Sequence, residues 1–472
     1  MNKPKSIAVH DISPGLDLYE KRKKIYIRQA SGIFEIFRTI TIWLTLSVYF
    51  ILPWLQWNNR QAVLFDLPAR QFRIFGLTFF PQDFILLAWG LIISAFALFF
   101  ITNILGRVWC GYTCPQTVWT KIFVWIEEWI EGSRTQRMRL DKSPLTSVKA
   151  FRKFLKHFLW FSVAALTAVT FLGYFTSINI LIFNILKLDL NGWSWFWIGF
   201  FTLATYMNAG WMREQVCMYM CPYARFQSVM FDSDTLVISY DKERGEPRGS
   251  RSRNPEQNEK KSSLGDCIDC HMCVQVCPTG IDIRDGLQFE CIGCAACIDA
   301  CDTVMKQMNY APGLVRYTTE NTLAHKPTKI LRPRMFGYGV VLLIITTAFF
   351  TYIFQRSIIS LDVLRDRNVL YRITENGFIE NAYTLKLINK GQEPLEVFIQ
   401  VDNKDFKLSA PSSITLENND VETVIVHVTH TIHPNKARLK NQDIDFQIQS
   451  LNGETITNTE SRFMVPLIIT TQ

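Results

Sequence analysis

The stretch CIDCHMCVQVCPTGIDIRDGLQFECIGCAACIDAC occupies residues 267–301 and holds eight of the chain's twelve cysteines. Its first half is spaced Cys267-x2-Cys270-x2-Cys273-x3-Cys277-Pro278, its second Cys291-x2-Cys294-x2-Cys297-x3-Cys301. This doubled spacing is that of a bacterial two-cluster ferredoxin, in which three close thiolates wrap one 4Fe–4S cubane and the fourth cysteine crosses to the other. The expected ligand sets are Cys267, Cys270, Cys273 and Cys301 for one cluster, and Cys291, Cys294, Cys297 and Cys277 for the other. Paired CxxC units also build tetrahedral zinc sites, but eight cysteines in this doubled arrangement favour iron–sulfur. Cys301 is followed by Asp302 where Cys277 is followed by Pro278, an asymmetry that removes no ligand. His271, between two ligands, reads as an exposed side chain with at most a minor hydrogen bond to cluster sulfur.

Around this stretch the chain of 472 residues is 48% hydrophobic, with 35 Phe and 13 Trp, too apolar for an ordinary soluble protein. Five nearly uncharged runs, 39–56, 84–105, 158–176, 193–211 and 336–354, reach the roughly 20 residues that a membrane-crossing helix needs. Trp54, Trp57, Trp193, Trp195 and Trp211 stand near their ends, where amphipathic rings favour the lipid–water interface. Lys and Arg concentrate in the N-terminal arm, between the second and third runs, and after the fourth, whereas the loops after the first and third runs are poor in them. The positive-inside rule then puts the N-terminus and the ferredoxin stretch in the cytoplasm and the last 110 or so residues outside. A cleavable signal peptide is not expected, because the first apolar run starts late and no small-residue cleavage site follows it. The net charge of +8 is too modest to imply nucleic acid.

The expected organisation is a basic arm over 1–33, a four-span membrane region over 34–230, a charged linker over 231–263, the ferredoxin domain over 264–332, a fifth span over 335–355 and an outer domain over 360–472. Within the membrane region, PQTVWTKIFVWIEEWIEG from Pro115 has apolar residues at helical spacing. It reads either as an amphipathic helix on the membrane surface or as a short helix packed on its neighbours. The C-terminal segment alternates apolar and polar residues between turn signals such as Asn389–Gly391, Asn418–Asp420 and Asn452–Gly453, the pattern of an immunoglobulin-like sandwich of about seven strands. Its HVTHTIH tract, with His427, His430 and His433, resembles a copper-binding tract but reads as ordinary surface histidines, since 427 and 430 point to opposite faces of a strand.

The other four cysteines form a repeat. RVWCGYTCPQ and REQVCMYMCPYARFQ both contain C-x-Y-x-C-P, as Cys110, Tyr112, Cys114 and Pro115, then Cys217, Tyr219, Cys221 and Pro222. Each follows an outside-to-inside span, so the membrane region reads as a duplicated helical hairpin. Residues four apart share a helix face, and the two pairs can converge on one four-thiolate site suited to Cu(I) or an iron–sulfur cluster. Met212, Met218 and Met220 stand close by and read as packing. With all twelve cysteines on the cytoplasmic side, structural disulfides are not expected.

These residues, together with LYEKRKKIYIR at 18–28 and CIDACD at 297–302, resemble the CcoG/FixG/RdxA family of cytochrome c oxidase accessory proteins over essentially the whole chain. The fold implied is a multi-domain membrane protein: an α-helical transmembrane bundle of five spans with a duplicated hairpin, an inserted two-cluster ferredoxin domain and a C-terminal immunoglobulin-like β-sandwich. The resemblance implies a bacterial inner-membrane protein carrying two 4Fe–4S clusters that reduces Cu(II) for assembly of a cbb-type oxidase. Its implied partners are a copper importer or copper chaperone and the oxidase assembly factors. The eight ferredoxin cysteines are then the implied redox residues, and Cys110, Cys114, Cys217 and Cys221 the implied copper-handling or electron-transfer residues. The electron donor is either cytoplasmic or a quinol. Two other readings stand beside this one: a quinol-linked subunit feeding a periplasmic reductase, and a non-redox scaffold whose β domain docks on the oxidase.

Overall fold

A run of some twenty apolar residues can satisfy its own backbone in lipid only as a helix, and among the described residues four such helices form. They cover Ile33–Trp54, Pro81–Leu105, Ser147–Leu172 and Pro333–Phe354, each long and apolar enough to cross a membrane. The fourth apolar run of the sequence is helical as well, but its α-helix covers only Gly192–Thr205 before a π-helical segment takes over at Tyr206–Met212. Trp43, Leu91, Phe161, Trp193 and Leu343 lie exposed along these helices. Facing water they would form an untenable apolar surface, whereas facing lipid they are in their preferred medium.

The computed structural model describes residues 24–251, 264–329, 331–366, 369–391, 393–403, 405–418, 420–431, 441–451 and 453–465. Two compact units interleave along the chain: Met1–Ile40 with Leu105–Trp160 and Asn208–Thr328, and Thr41–Ile104 with Phe161–Met207 and Lys329–Gln472.

The second unit ends in a sandwich of two antiparallel sheets. One orders its strands Phe406–Ser409, Val421–His430, Ile379–Asn389 and Ile359–Arg365, with Arg372–Ile373 pairing onto the third. The other orders Ile414–Leu416, Leu395–Val401, Gln442–Ser450 and Thr455–Phe463. Alternation along each strand drives Tyr383, Leu385, Leu387, Val426, Val428, Phe446 and Ile448 into the shared core. His430 joins that core, edge-on to Phe406 at 5.2 Å, which corrects its reading as a surface histidine. His427 lies on the opposite face, 3.3 Å from a Glu380 carboxylate oxygen, and His433 lies outside the described residues. The buried Asp83 carboxylate takes Arg356 and, at 3.2 Å, Lys390, which ties the start of helix Pro81–Leu105 to the base of the sandwich. The connection after the first helix carries a three-stranded sheet of Val63–Asp66, Gln71–Ile74 and Leu77–Phe79, strands too short to register as a period in the sequence.

In the first unit, strands Val237–Tyr240 and Val315–Thr318 pair, and Ile238, Tyr240, Ile283, Ile298, Met305 and Leu314 close the ferredoxin core. Part of the stretch expected as a linker is therefore a core strand, while 252–263 lies outside the described residues. The described end of the basic arm, from Lys24, is docked. Arg28 N–H donates to the Gln275 carbonyl at 2.8 Å, and Tyr26 hydroxyl donates to Asp141 at 2.7 Å. Helix Pro115–Glu131 packs with its carboxylates inward, because Glu127 and Glu131 are fully buried while Trp129 is exposed. The carboxylates that complement its apolar stripe are therefore spent on protein contacts, as the second of the two readings has it. Arg213 at 2.7 Å and Lys24 at 3.4 Å meet Glu127, and Lys153 and Lys156 meet Glu131 at 2.8 and 2.9 Å.

Candidate redox site

All twelve cysteines lie in the first unit. A CxxCxxC loop must curl tightly to aim three sulfurs inward, and both loops do so identically. Asp269 and His271, flanking Cys270, have φ of 54° and 55°, and Gly293 and Ala295, flanking Cys294, have 68° and 59°. Left-handed backbone at a non-glycine residue costs about 1–2 kcal/mol and is kept where its surroundings over-determine it. Such turns aim successive N–H groups into one concavity, a nest for an anionic group.

The structure brings Cys301 into electrostatic reach of Cys273, Cys270 and Cys267. Separately it brings Cys297 into reach of Cys294, Cys291 and Cys277, and more weakly of Cys273. A cavity is lined by Cys277, Cys291, Cys294 and Cys297 together with Pro278 and Ile292, and Cys273 of the other four reaches it as well. Burial pushes the thiols of Cys273, Cys291 and Cys301 up to about 12 and that of Cys297 well above its ordinary range. Left alone they would stay neutral; a cationic metal core makes them thiolates outright. Two fours of thiols, all but the exposed Cys270 buried or half-buried and with backbone nests around them, fit two 4Fe–4S clusters. Among the described residues no three His, Cys, Asp or Glu side chains are drawn in around a single metal ion.

The Pro278/Asp302 asymmetry has a plain cause. The first run ends in a helix of one turn, Met272–Gln275, while the second continues through helix Ala296–Gln307, whose interior would not tolerate proline. Asp302 instead accepts the Gly313 N–H at 2.7 Å. His271 is not idle: its Nδ1 lies 2.8 Å from the buried Arg284, whose guanidinium also pairs with Asp269 and Asp282 and bears electrostatically on Cys273.

Neither CxxxCP pair sits on one continuous α-helix, contrary to the expectation from spacing. Cys110 belongs to the short helix Val108–Tyr112, and Cys114 is the N-cap of helix Pro115–Glu131. Cys217 lies in the π-helical segment Val216–Met220, and Cys221 is the N-cap of helix Pro222–Met230. Proline at the first helical position starts both new helices. The helix break, rather than a shared face, turns each pair inward. Cys110 feels Cys114, Cys217 and Cys221, and burial pushes both Cys110 and Cys217 up to about 12.

The first of these turns rests on the ferredoxin domain. A Cβ added at Gly111 would lie 2.8 Å from Cys294 Cα and from the Gly293 carbonyl oxygen. Tyr317, whose hydroxyl donates to the Gly293 carbonyl at 2.7 Å, also hydrogen-bonds Tyr112. Arg107, nearly buried, donates to the carbonyls of Phe289, Cys291 and Ala224 and bears electrostatically on Cys110, Cys217 and Cys291. Asp299, between two ligands of the second run, accepts the N–H groups of Phe34 at 3.3 Å and Glu35 at 2.7 Å, which caps the first long helix. Sequence reasoning missed Arg107, Gly111, Arg284 and Asp299 as site residues. The one available signal was that an arginine, Arg107 or Arg213, precedes each CxxxCP pair.

Comparison with known proteins agrees with this geometry. Residues 212–320 match the 4Fe-4S dicluster domain family, 87–132 a 4Fe-4S binding domain family, and 349–466 the IG-like fold at the C-terminus of FixG. The nitrogen fixation protein FixG of Rhizobium meliloti is 36% identical over 422 residues, covering 82% of this chain and 80% of that one. Protein RdxA of Cereibacter sphaeroides is 37% identical over 399 residues, 82% of this chain and 83% of that one. Protein RdxB of the same organism is 35% identical over 433 residues, 88% of each. A crystal structure of a FixG-related protein from Vibrio parahaemolyticus covers 24% of this chain and all of its own, at 31% identity and a TM-score of 0.21. With two fours of thiols on ferredoxin spacing, helices fit for a membrane and relatives matching over most of their length, the chain belongs to the FixG/CcoG/RdxA family and is an iron–sulfur electron-transfer protein of the membrane.

Proposed function

We propose that this protein delivers electrons from its ferredoxin domain to the CxxxCP thiol group and there reduces Cu(II) to Cu(I), one electron per ion, for maturation of a cbb-type cytochrome c oxidase. The observation that carries the reading is contact: the Cys110–Cys114 turn lies against the Gly293–Cys294 side of the ferredoxin loop, with no room for a side chain at Gly111. When bound, 4Fe–4S clusters supply one-electron carriers. Cys267, Cys270, Cys273 and Cys301 would hold one, and Cys277, Cys291, Cys294 and Cys297 the other. Arg284 and Arg107 put positive charge beside these thiolates, which favours the reduced, more negative state. The thiols of Cys110, Cys114, Cys217 and Cys221 are soft donors that prefer Cu(I) to Cu(II), so retention of the product draws the reduction forward. A copper importer or copper chaperone would exchange copper here, in the inner membrane of a bacterium.

The test uses purified protein, chemically reduced, with Cu(II) added and Cu(I) read with a selective chelator. Changing the four CxxxCP cysteines to serine should slow Cu(I) formation at least roughly tenfold, the scale on which a removed soft-ligand site registers. An undiminished rate would remove the assignment.

A second reading has its own observation. A pocket beside Cys217 combines apolar surface from Ile27, Val276 and Ile292 with the polar groups Gln116 and Thr279 and the charged groups Arg38, Lys121, Arg213 and Glu214. Apolar surface beside placed polar groups is the lining an aromatic redox carrier takes, which favours a quinol as electron donor. Stoichiometric oxidation of an added quinol, with cluster reduction followed optically, tests it.

A further inference from the structure

We propose that Cys110, Cys114, Cys217 and Cys221 together hold a third iron–sulfur cluster. The inference rests on the function above only in treating this group as a redox station. It replaces bare thiols with a cluster, beside which Cu(II) would take its electron.

The first argument is convergence. Cys110 Sγ lies 3.5 Å from the Gln227 side-chain oxygen, on the helix that follows the second pair. Reciprocally, Gln116, in the first turn after the first pair, donates to the carbonyls of Asn208 and Arg213, both at 3.0 Å, and lines the same pocket as Cys217. The two repeats therefore interlock, each reaching a segment that flanks the other's cysteines.

The second argument is charge. Four thiolates drawn together in a half-buried site need a cationic core, because an uncompensated buried charge is strongly destabilising. An iron–sulfur core supplies that charge and leaves a residual anion. The site is built to receive an anion: Cys114 and Cys221 are N-caps of helices of 17 and 9 residues, and Arg107 bears on Cys110 and Cys217.

The third argument is arithmetic. Residues 87–132 match a 4Fe-4S binding family, yet the only cysteines in that segment are Cys110 and Cys114, which belong to neither ferredoxin run. Two thiols cannot complete a cluster that takes four. Of twelve cysteines, eight lie in the ferredoxin runs and two in this segment, which leaves Cys217 and Cys221 to finish the set. Zinc would satisfy the same four ligands but could not pass electrons.

The experiment is an iron and acid-labile sulfide count on the full-length protein purified without oxygen, with copper and zinc measured on the same sample. We expect about twelve iron atoms per chain rather than about eight. A Cys114→Ser/Cys221→Ser variant prepared in parallel should lose about four of them while keeping the EPR signals of the ferredoxin pair. A Cys270→Ser variant should instead lose ferredoxin signal and retain the new one. A wild-type count near eight, an unchanged count in the double variant, or one copper or zinc per chain lost with those cysteines would each overturn the proposal. The wild-type count decides even where a variant fails to fold. Twelve iron atoms without Cu(II) reduction would remove only the copper reading, and eight with it only the third cluster.

Discussion

Arg107 and Gly111 carry the coupling between the two cysteine systems. Gly111 stands where the second repeat has Met218, because only the first turn meets the Gly293–Cys294 backbone, 2.8 Å from any added Cβ. Arg107 bears on Cys291 on one side and on Cys110 and Cys217 on the other. A unit charge at roughly 10 Å in an effective dielectric of about 20 is worth on the order of 1.5 kcal/mol, some tens of millivolts for one electron. Arg107→Gln should therefore lower the reduction potential of the neighbouring cluster by that order in an EPR-monitored titration, and Arg107→Lys should recover most of it. Equal potentials in all three proteins would mean that Arg107 only braces the loop. The same arginine was visible in the sequence, but only as a positive charge beside a span; its role depends on carbonyls more than a hundred residues away.

Helix Pro115–Glu131 shows how an element's hydrophobic period can be read from the sequence while the facing of its acidic residues cannot. Its hydrophobic period is real, yet its acidic residues are inside because four basic groups from elsewhere in the same unit wait for them. Burial alone would raise the Glu127 carboxyl, but Arg213, Lys24 and Lys156 outweigh it and hold it at about 2, below the ordinary 4.5. A depressed carboxylate contributes stability that is complete above pH 4.5 and lost as pH falls towards 2. The linkage amounts to at most about 3 kcal/mol. Glu127→Gln should lower the melting temperature at pH 7, since it strands Arg213, and flatten the acid branch of the stability curve. Melting curves from pH 7 to 3 check it; an acid branch as steep as wild type would place that linkage in other carboxylates, Asp141 foremost, which Lys153, Lys24 and Tyr26 also hold low.

At the scale of the molecule, the lysine and arginine bias of the sequence predicts the ferredoxin stretch inside and the C-terminal sandwich outside, a prediction that calls for an odd number of crossings. Among the described residues four helices pass the length test outright, and on that prediction the helix over Gly192–Thr205 with its π-helical continuation Tyr206–Met212 would make the fifth. Protease added to spheroplasts should then digest the sandwich and leave the ferredoxin domain intact until the membrane is broken. Digestion of the ferredoxin domain with the sandwich spared would return the count to an even number. The widened turns of that helix lie just before Cys217, where π-helical segments commonly re-aim a functional side chain.

The covalent chemistry and the periods were legible along the chain alone: twelve thiols in two repeating patterns, apolar runs long enough for lipid, and strands alternating at two residues. These are local properties, legible because spacing along a chain limits what a metal core, a bilayer or a sheet can accept. Only the tertiary structure decided which groups face one another. It turned the CxxxCP pairs inward through helix breaks rather than along one helix face, buried His430 in a core the sequence could not locate, and gave Asp299 the first helix to cap. It also set Arg107 and Arg284 beside the thiols. Such contacts join segments far apart in the chain, and which of them form depends on packing and the disposal of buried charge, neither of which has a period to read.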